Sequence, residues 1–274
     1  MRVLFHRKRT MDSIAVYETE IIEAINDDVD EESAKPENMD TIKRILPLIN
    51  PYKLLTSHHE SLLKLACSIA NIEVINYLSE NMDVDKQYNN GKTVLMKILG
   101  NPSRDFTQSA IVFPLIKNSK NLNLVNYEGN TALHYAFFDM KINIDDVYDI
   151  IDDISPYLDV IDLLLECGAD PYIFNTSGHN FISLVMASSQ HTTPLLIINM
   201  IINHIEKNHV KMHISFLIIA IIYKKYDIVE LILPHVVDIN EVYKGLNVFQ
   251  YAERTNDSDI IELLQVSNPN PEHN

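Results

Sequence analysis

The apolar positions of this chain recur at helical spacing in short segments that alternate with polar turns. Residues 72–78 read Ile-Glu-Val-Ile-Asn-Tyr-Leu, and residues 227–233 and 259–264 each carry Asp, two apolar residues, Glu and further apolar residues. Residues 160–167 are the best preserved segment of this kind. They end at Gly168, where a helix-terminating glycine is expected. The pattern predicts a series of short amphipathic helices.

A second kind of segment precedes each of these helices. Its clearest copy, residues 128–138, reads Glu-Gly-Asn-Thr-Ala-Leu-His-Tyr-Ala-Phe-Phe. Five other segments align with it, and three of the five intervals between neighbouring copies lie close to a period of about 33 residues. The longer intervals require insertions. The positions that align with Ala136 are Ala66, Ile98, Val185, Ala220 and Ala252.

Residues 131–136, Thr-Ala-Leu-His-Tyr-Ala, are close to the T-P-L-H-x-A signature of an ankyrin repeat. The chain resembles ankyrin-repeat proteins from residue 18 to residue 266, strongly at 128–138 and more weakly elsewhere. Residues 18–26 and 39–49 add an irregular first pair of helices. We therefore predict an all-α fold, an ankyrin-repeat α-solenoid of about seven degenerate helix pairs joined by short hairpin connections.

The predicted domain organisation has three parts: a basic N-terminal tail over residues 1–15, an ankyrin-repeat domain over 16–266 and a disordered C-terminal tail over 267–274. Residues 139–158 form an insertion rich in aspartate. Calcium binding is one interpretation of these aspartates, but the ligand spacing of a calcium loop is missing. The apolar spacing of the segment favours an amphipathic helix with an acidic face.

Two residues of the best motif are expected to support the scaffold. Thr131 is placed to cap the helix that follows it, and His134 to hydrogen-bond backbone between neighbouring repeats. A catalytic or metal-binding role for His134 is the alternative. Cys67 and Cys167 are distant in sequence, which predicts ordinary buried thiols in a reducing compartment.

Motifs that carry chemistry are missing from the sequence. It contains no GxGxxG, Walker A, GxSxG or HExxH pattern, so we predict no catalytic, cofactor-binding or metal-binding residues, and no enzyme. The net charge of −16 repels phosphate backbones, which argues against a nucleic-acid partner. The longest apolar run, Ile214–Ile222, is too short to span a membrane and is interpreted as a buried helix.

Aromatic residues recur shortly before the glycine in the four motif copies that have one, at the expected tips between repeats. Exposed aromatic side chains on a shared face are candidates for binding hot spots. The alternative is that each ring packs on its neighbouring hairpin. Lys86 and Lys244 are expected to flank these residues. The candidate partner-binding residues are Tyr88, Tyr127, Glu128, Phe174 and Tyr243.

Residues 126–136 and 163–174 also resemble the ankyrin-repeat proteins of orthopoxviruses, as do the degenerate repeats and irregular insertions. The resemblance implies an adaptor in the host cell cytoplasm, with the nucleus as an alternative. Such an adaptor binds a host protein to counter innate immune signalling, such as NF-κB, or to set host range.

Many of these viral relatives also recruit an SCF-type ubiquitin ligase through a C-terminal F-box-like segment. No such helices follow Val266 in this sequence, so SCF components are an alternative partner rather than the expected one. A cellular ankyrin scaffold is the other alternative. The identity of the bound protein stays open.

Overall fold

A computed structural model describes the helical repeats of the chain in two compact units, Met1–Tyr127 and Glu128–Asn274. Each unit is considered by itself below. The described residues are 2–27, 35–49, 61–101, 109–144, 151–187, 192–207 and 212–267.

The first unit contains three helix pairs. Their bounds are α1 Arg2–Asn26, α2 Pro36–Ile45, α3 Leu62–Ile69, α4 Ile72–Asn81, α5 Val94–Leu99 and α6 Ser109–Asn118. Helix α1 packs on α2, α3 on α4 and α5 on α6. The first helices α1, α3 and α5 contact one another in chain order, and the second helix α4 contacts α6.

The second unit contains four helix pairs with the same arrangement. Their bounds are α7 Ala132–Ile144, α8 Ile151–Glu166, α9 Phe181–Ala187, α10 Thr192–Lys207, α11 Ile214–Ile222, α12 Tyr226–Ile232, α13 Val248–Thr255 and α14 Ser258–Ser267. The first helices α7, α9, α11 and α13 contact one another in chain order, and so do the second helices α8, α10, α12 and α14.

The described residues thus form fourteen helices in seven pairs and no strand, which confirms the predicted all-α repeat fold. Several details differ from the sequence-based expectation. Helix α1 begins at Arg2, so residues predicted as a basic tail are helical. The domain boundaries themselves stay predictions. The centre of the predicted acidic helix, residues 145–150, lies outside the described part of the chain.

Small residues at the aligned motif position explain how the first helices approach each other. Ala66, Ala136, Ala220 and Ala252 are all buried, with at most 2% of each side chain exposed. Val185, the counterpart in α9, is also fully buried. A single helix pair would leave these positions in water, so stacking of neighbouring pairs supplies the hydrophobic stabilisation.

Polar residues at the start of the first helices satisfy backbone N–H groups that have no partner within the helix. Ser61 and Thr93 accept hydrogen bonds from the N–H groups three residues later, at 3.4 and 3.2 Å. Asn247 and Gln250 form a reciprocal capping box at the start of α13. This recurring cap explains why a hydroxyl or amide side chain precedes each of these apolar helices.

The two cysteines differ in their surroundings. Cys67 is buried in α3 as predicted, whereas Cys167 is exposed just after the last turn of α8. The prediction that both thiols are buried is therefore wrong for Cys167, because the helix ends there and Gly168 turns the chain.

None of the helices in the described residues is both long and apolar enough to cross a membrane.

Candidate functional site

Tight turns form the tips between repeats, at residues 88–92, 175–179 and 243–246. In each turn the first residue donates its N–H to the carbonyl of the last, at 2.9, 2.8 and 2.9 Å respectively. Each turn also holds a glycine with a positive φ, a conformation that L side chains rarely adopt. These glycines are Gly91, Gly178 and Gly245, with φ of 71°, 78° and 83°.

Neighbouring tips are joined by one repeated backbone hydrogen bond. In the first unit, the N–H of Tyr127 donates to the carbonyl of Asn90 at 3.1 Å. In the second unit, the N–H of Thr176 donates to the carbonyl of Glu128 at 2.9 Å. Donor and acceptor hold equivalent motif positions in the two cases, so the tips have a fixed backbone position.

The glycines of the tips also allow this close approach. A Cβ atom at Gly91 would lie 3.1 Å from the Cα of Asn126, and one at Gly129 would lie 2.8 Å from the Cα of Asn175. Both positions are too tight for a side chain next to rigid backbone. Packing as well as φ therefore favours glycine at Gly91 and Gly129, whereas a Cβ at Gly178 or Gly245 would meet no described atom within 4 Å.

His134 links two neighbouring repeats, as predicted. Its Nδ1 lies 2.9 Å from the Thr131 hydroxyl and 3.2 Å from the Thr131 N–H, and its Nε2 lies 3.2 Å from the carbonyl of His179. Burial lowers the pKa of His134, which favours the neutral ring that donates through Nε2. The Thr131 hydroxyl thus contacts the His134 ring, a contact that the sequence did not predict, and its capping role stays a prediction.

The same positions one repeat later carry a different polar pair. The N–H of Asn180 donates to the Ser183 hydroxyl at 2.9 Å, and the N–H of Ser183 donates to the Asn180 side-chain oxygen at 2.8 Å. This local pair starts α9, and among the described residues it makes no hydrogen bond to the next repeat. The degenerate motif therefore keeps the cap, while a link like that of His134 is not found for this pair in the part of the chain that the structure describes.

The two candidate aromatic residues of the first unit differ in exposure. Tyr88 is half-buried, and the ammonium of Lys97 lies 4.9 Å from its ring centroid. Tyr127 is 81% exposed, while one edge of its ring covers Gly91. The structure therefore offers Tyr127 to solvent and packs Tyr88 partly against its own repeat.

The two candidate aromatic residues of the second unit are joined by a lysine. The ammonium of Lys244 lies 5.7 Å from the ring centroid of Phe174 and 5.2 Å from that of Tyr243. Phe174 is 45% exposed, and Tyr243 is half-buried. We call Phe174, Tyr243 and Lys244 the aromatic–lysine cluster.

Further aromatic rings pack next to this cluster. The ring of His213 lies 5.9 Å from that of Tyr172 and 5.9 Å from that of Tyr243. The hydroxyl of Tyr251 donates to the carbonyl of Tyr243 at 3.1 Å. Burial raises the pKa of Tyr172, so its hydroxyl stays neutral. Tyr172 and His213 were missed from the sequence, although both lie beside repeat boundaries.

The charged candidates lie on the surface. Glu128 is exposed, and its carboxylate accepts a hydrogen bond from the Asn130 side chain at 3.2 Å. Lys86 is also exposed, and its backbone N–H donates to the carbonyl of Asp83. Among the described residues, no three His, Cys, Asp or Glu side chains come close enough together to hold a metal ion.

Comparison with known proteins agrees with this architecture. The family profile described as "Ankyrin repeat" matches residues 128–176, which include Gly129, Thr131 and His134. No curated protein sequence matches the chain significantly.

Solved structures of ankyrin-repeat domains are similar to the chain at low sequence identity. The domain of Bcl-3, titled a unique member of the IκB protein family, has a TM-score of 0.55 and 15% identity, covering 90% of this chain and 97% of its own. The human ASB11 domain has a TM-score of 0.47 and 17% identity, covering 78% and 86%. A domain from Acinetobacter baumannii has a TM-score of 0.46 and 17% identity, covering 91% and 97%. The matched repeat, the stacked helix pairs and the likeness to Bcl-3 show that this chain has the ankyrin-repeat fold.

Proposed function

We propose that this chain is a non-enzymatic adaptor that binds a protein partner through its repeat tips. Ankyrin-repeat domains are typically non-catalytic modules for protein–protein interaction. The observation that carries the proposal is the exposure of aromatic rings on tips with a fixed backbone: Tyr127 is 81% exposed and Phe174 is 45% exposed.

Tips whose backbone is already ordered lower the free-energy cost of binding a partner. A partner that binds mobile side chains and loops must pay for immobilising them, which reduces affinity. Here hydrogen bonds from Tyr127 to Asn90 and from Thr176 to Glu128 already fix the tips before a partner arrives. Aromatic rings add large contact areas with few rotatable bonds, so they are efficient contact residues.

The proposal is tested by comparing two double variants of the full chain. Tyr127→Ala with Phe174→Ala removes the tip rings, whereas Val237→Ala with Val266→Ala removes two other exposed apolar side chains. Bound proteins are captured from cell extracts and quantified by mass spectrometry. We expect the tip variant to lose at least about tenfold in recovery of specific partners, equivalent to about 1.4 kcal/mol, and the control to keep them. Equal recovery by wild type and tip variant would contradict the proposal.

A narrower proposal names the cellular process in which the chain acts. The resemblance of residues 126–136 and 163–174 to orthopoxvirus ankyrin-repeat proteins supports a role in countering host innate immune signalling, such as NF-κB, or in setting host range. We expect expression of the chain to lower a cytokine-induced NF-κB reporter, and the tip variant to lose this effect. An unchanged reporter signal would contradict a role in NF-κB signalling and leave the binding proposal intact.

The alternative, in which the chain supplies substrates to an SCF-type ubiquitin ligase, makes a different prediction for the same capture experiment. SCF subunits would then co-purify with wild type and with the tip variant alike, because a ligase would dock elsewhere. Their absence alongside recovery of a specific partner favours a binder that acts without the ligase.

A further inference from the structure

We propose that the aromatic–lysine cluster anchors a single Asp or Glu of the protein partner, carried next to an apolar or aromatic residue in an otherwise uncharged or basic segment. The inference rests on the proposed binding function and names the chemistry of the partner at one tip.

The backbone holds Lys244 in one place. Lys244 and Gly245 have φ of 50° and 83°, and Tyr243 and Leu246 exchange two backbone hydrogen bonds at 2.9 and 3.2 Å. This is the geometry of a two-residue hairpin turn, in which both central residues have positive φ. The Tyr251 hydroxyl then ties the turn to α13 through the carbonyl of Tyr243.

The lysine side chain is directed over two aromatic faces. Its ammonium contacts the rings of Phe174 and Tyr243, and no described carboxylate forms an ion pair with it. Cation–π contacts leave hydrogen-bond donors of the ammonium free, because the rings attract the charge without accepting all its protons. Lys244 is therefore a positioned and exposed cation that still has donors for an anion.

The neighbouring rings determine what kind of anion fits. The exposed face of Phe174 supplies apolar surface beside the ammonium, so a carboxylate next to an apolar side chain can use both. Contact with the ring also excludes water from the ion pair, which strengthens a charge-assisted hydrogen bond.

The charge of the whole chain limits the number of acidic residues in the partner segment. A chain with a net charge of −16 repels a run of acidic residues at long range. One carboxylate contacting Lys244 is favoured locally, while further carboxylates meet this repulsion. The expected segment therefore carries one acidic anchor and has neutral or basic residues around it.

The experiment uses the full chain and a displayed library of random twelve-residue peptides. Peptides enriched on wild type are synthesised, each with its Asp or Glu and with Asn or Gln instead, and affinities are measured by fluorescence anisotropy. Four proteins are compared: wild type, Lys244→Glu, Lys244→Arg and Lys224→Glu. Lys224 is the matched control, because it is also an exposed lysine with a positive φ, 54°, in the same unit.

We expect enriched peptides with one acidic residue beside an apolar one, and at least about tenfold weaker binding to Lys244→Glu. Lys244→Arg should bind within about threefold of wild type, since arginine also stacks on rings and pairs with carboxylates. Lys224→Glu should bind like wild type. Replacing the Asp or Glu of the peptide by Asn or Gln should weaken its binding to wild type and leave its affinity for Lys244→Glu unchanged.

Two other outcomes would contradict the acidic anchor and the binding function separately. Enriched peptides whose affinity is insensitive to Lys244→Glu, or equally sensitive to Lys224→Glu, overturn the acidic anchor and leave the binding function standing. Failure of wild type to enrich any peptide above bare support, together with failure to capture a protein partner, contradicts the binding function itself and the anchor with it.

Discussion

Two junctions of the second unit are built from different chemistry. At the polar junction, formed by residues 128–134 and 175–180, backbone approaches backbone and His134 links the repeats. At the aromatic junction, formed by Tyr172, His213 and the aromatic–lysine cluster, side-chain rings make the contacts.

The difference shows what the repeat motif specifies. A Cβ at Gly129 would lie 2.8 Å from Asn175, whereas one at Gly245 meets no atom of the described residues within 4 Å. Close backbone packing therefore constrains Gly129 in addition to its φ, whereas Gly245 is constrained by its φ alone. We propose that partner recognition uses the aromatic junction, where rings make the contacts.

The largest expected difference is between Phe181, a core residue that directly follows the polar junction, and Phe174 of the aromatic junction. Phe181, fully buried, contacts Phe137 edge-on at 6.1 Å between ring centroids, whereas Phe174 is 45% exposed. We expect Phe181→Ala to lower the free energy of unfolding by about 3–5 kcal/mol, and Phe174→Ala by less than about 1 kcal/mol. Urea denaturation followed by circular dichroism measures both values. Similar losses for the two variants would show that Phe174 belongs to the core.

A smaller difference is expected at the two glycines. Gly129→Ala combines a positive φ with a clash against the backbone of Asn175, while Gly245→Ala has only the positive φ. We expect losses of about 3 kcal/mol and about 1 kcal/mol respectively in the free energy of unfolding. The same denaturation experiment applies, with the slope on denaturant as a check on the two-state analysis. A Gly245→Ala variant as unstable as Gly129→Ala would contradict the comparison.

The smallest effect is the pH dependence of the His134 link. Its pKa is lowered by burial, so the folded chain binds fewer protons at this ring than the unfolded chain. The stability it contributes is complete above the ordinary pKa of 6.5 and is lost as pH falls through the lowered pKa. His134→Gln should therefore lower stability by about 1–3 kcal/mol at pH 7.5 and by less at pH 5.

The pH experiment has an internal control. Contributions from groups far from residue 134 cancel in the difference between wild type and His134→Gln, so this difference reports mainly on the His134 ring. A difference in free energy of unfolding that stays constant, or grows, from pH 7.5 to pH 5 would show that His134 is not held neutral.

The sequence allowed only part of the polar junction to be predicted. The motif at residues 131–136 predicts the His134 link, whereas the contact of the Thr131 hydroxyl with the His134 ring and the close approach of Gly129 to Asn175 were not predicted. The helix pairs followed from apolar spacing, which is a local property of the sequence. The start of α1 at Arg2 was missed because the first residues are basic and show little apolar period.

The aromatic junction could be predicted only in part. Phe174 and Tyr243 were identified by their position before a glycine, but Tyr172 and His213 meet through contacts between residues far apart in sequence. No single repeat contains both partners of such a contact. Position alone also does not reveal that Lys97 and its own repeat half-bury the ring of Tyr88, whose role in partner binding stays a prediction.

The central claim is that stability and partner recognition reside in different junctions of one ankyrin-repeat fold. The most direct measurement is the dissociation constant of the tightest peptide selected on wild type, determined for wild type, Phe174→Ala and His134→Gln at a temperature where all three are folded. We predict at least about tenfold weaker binding for Phe174→Ala and affinity within about twofold of wild type for His134→Gln. Unchanged binding by Phe174→Ala, or an equal loss in both variants, would contradict the account.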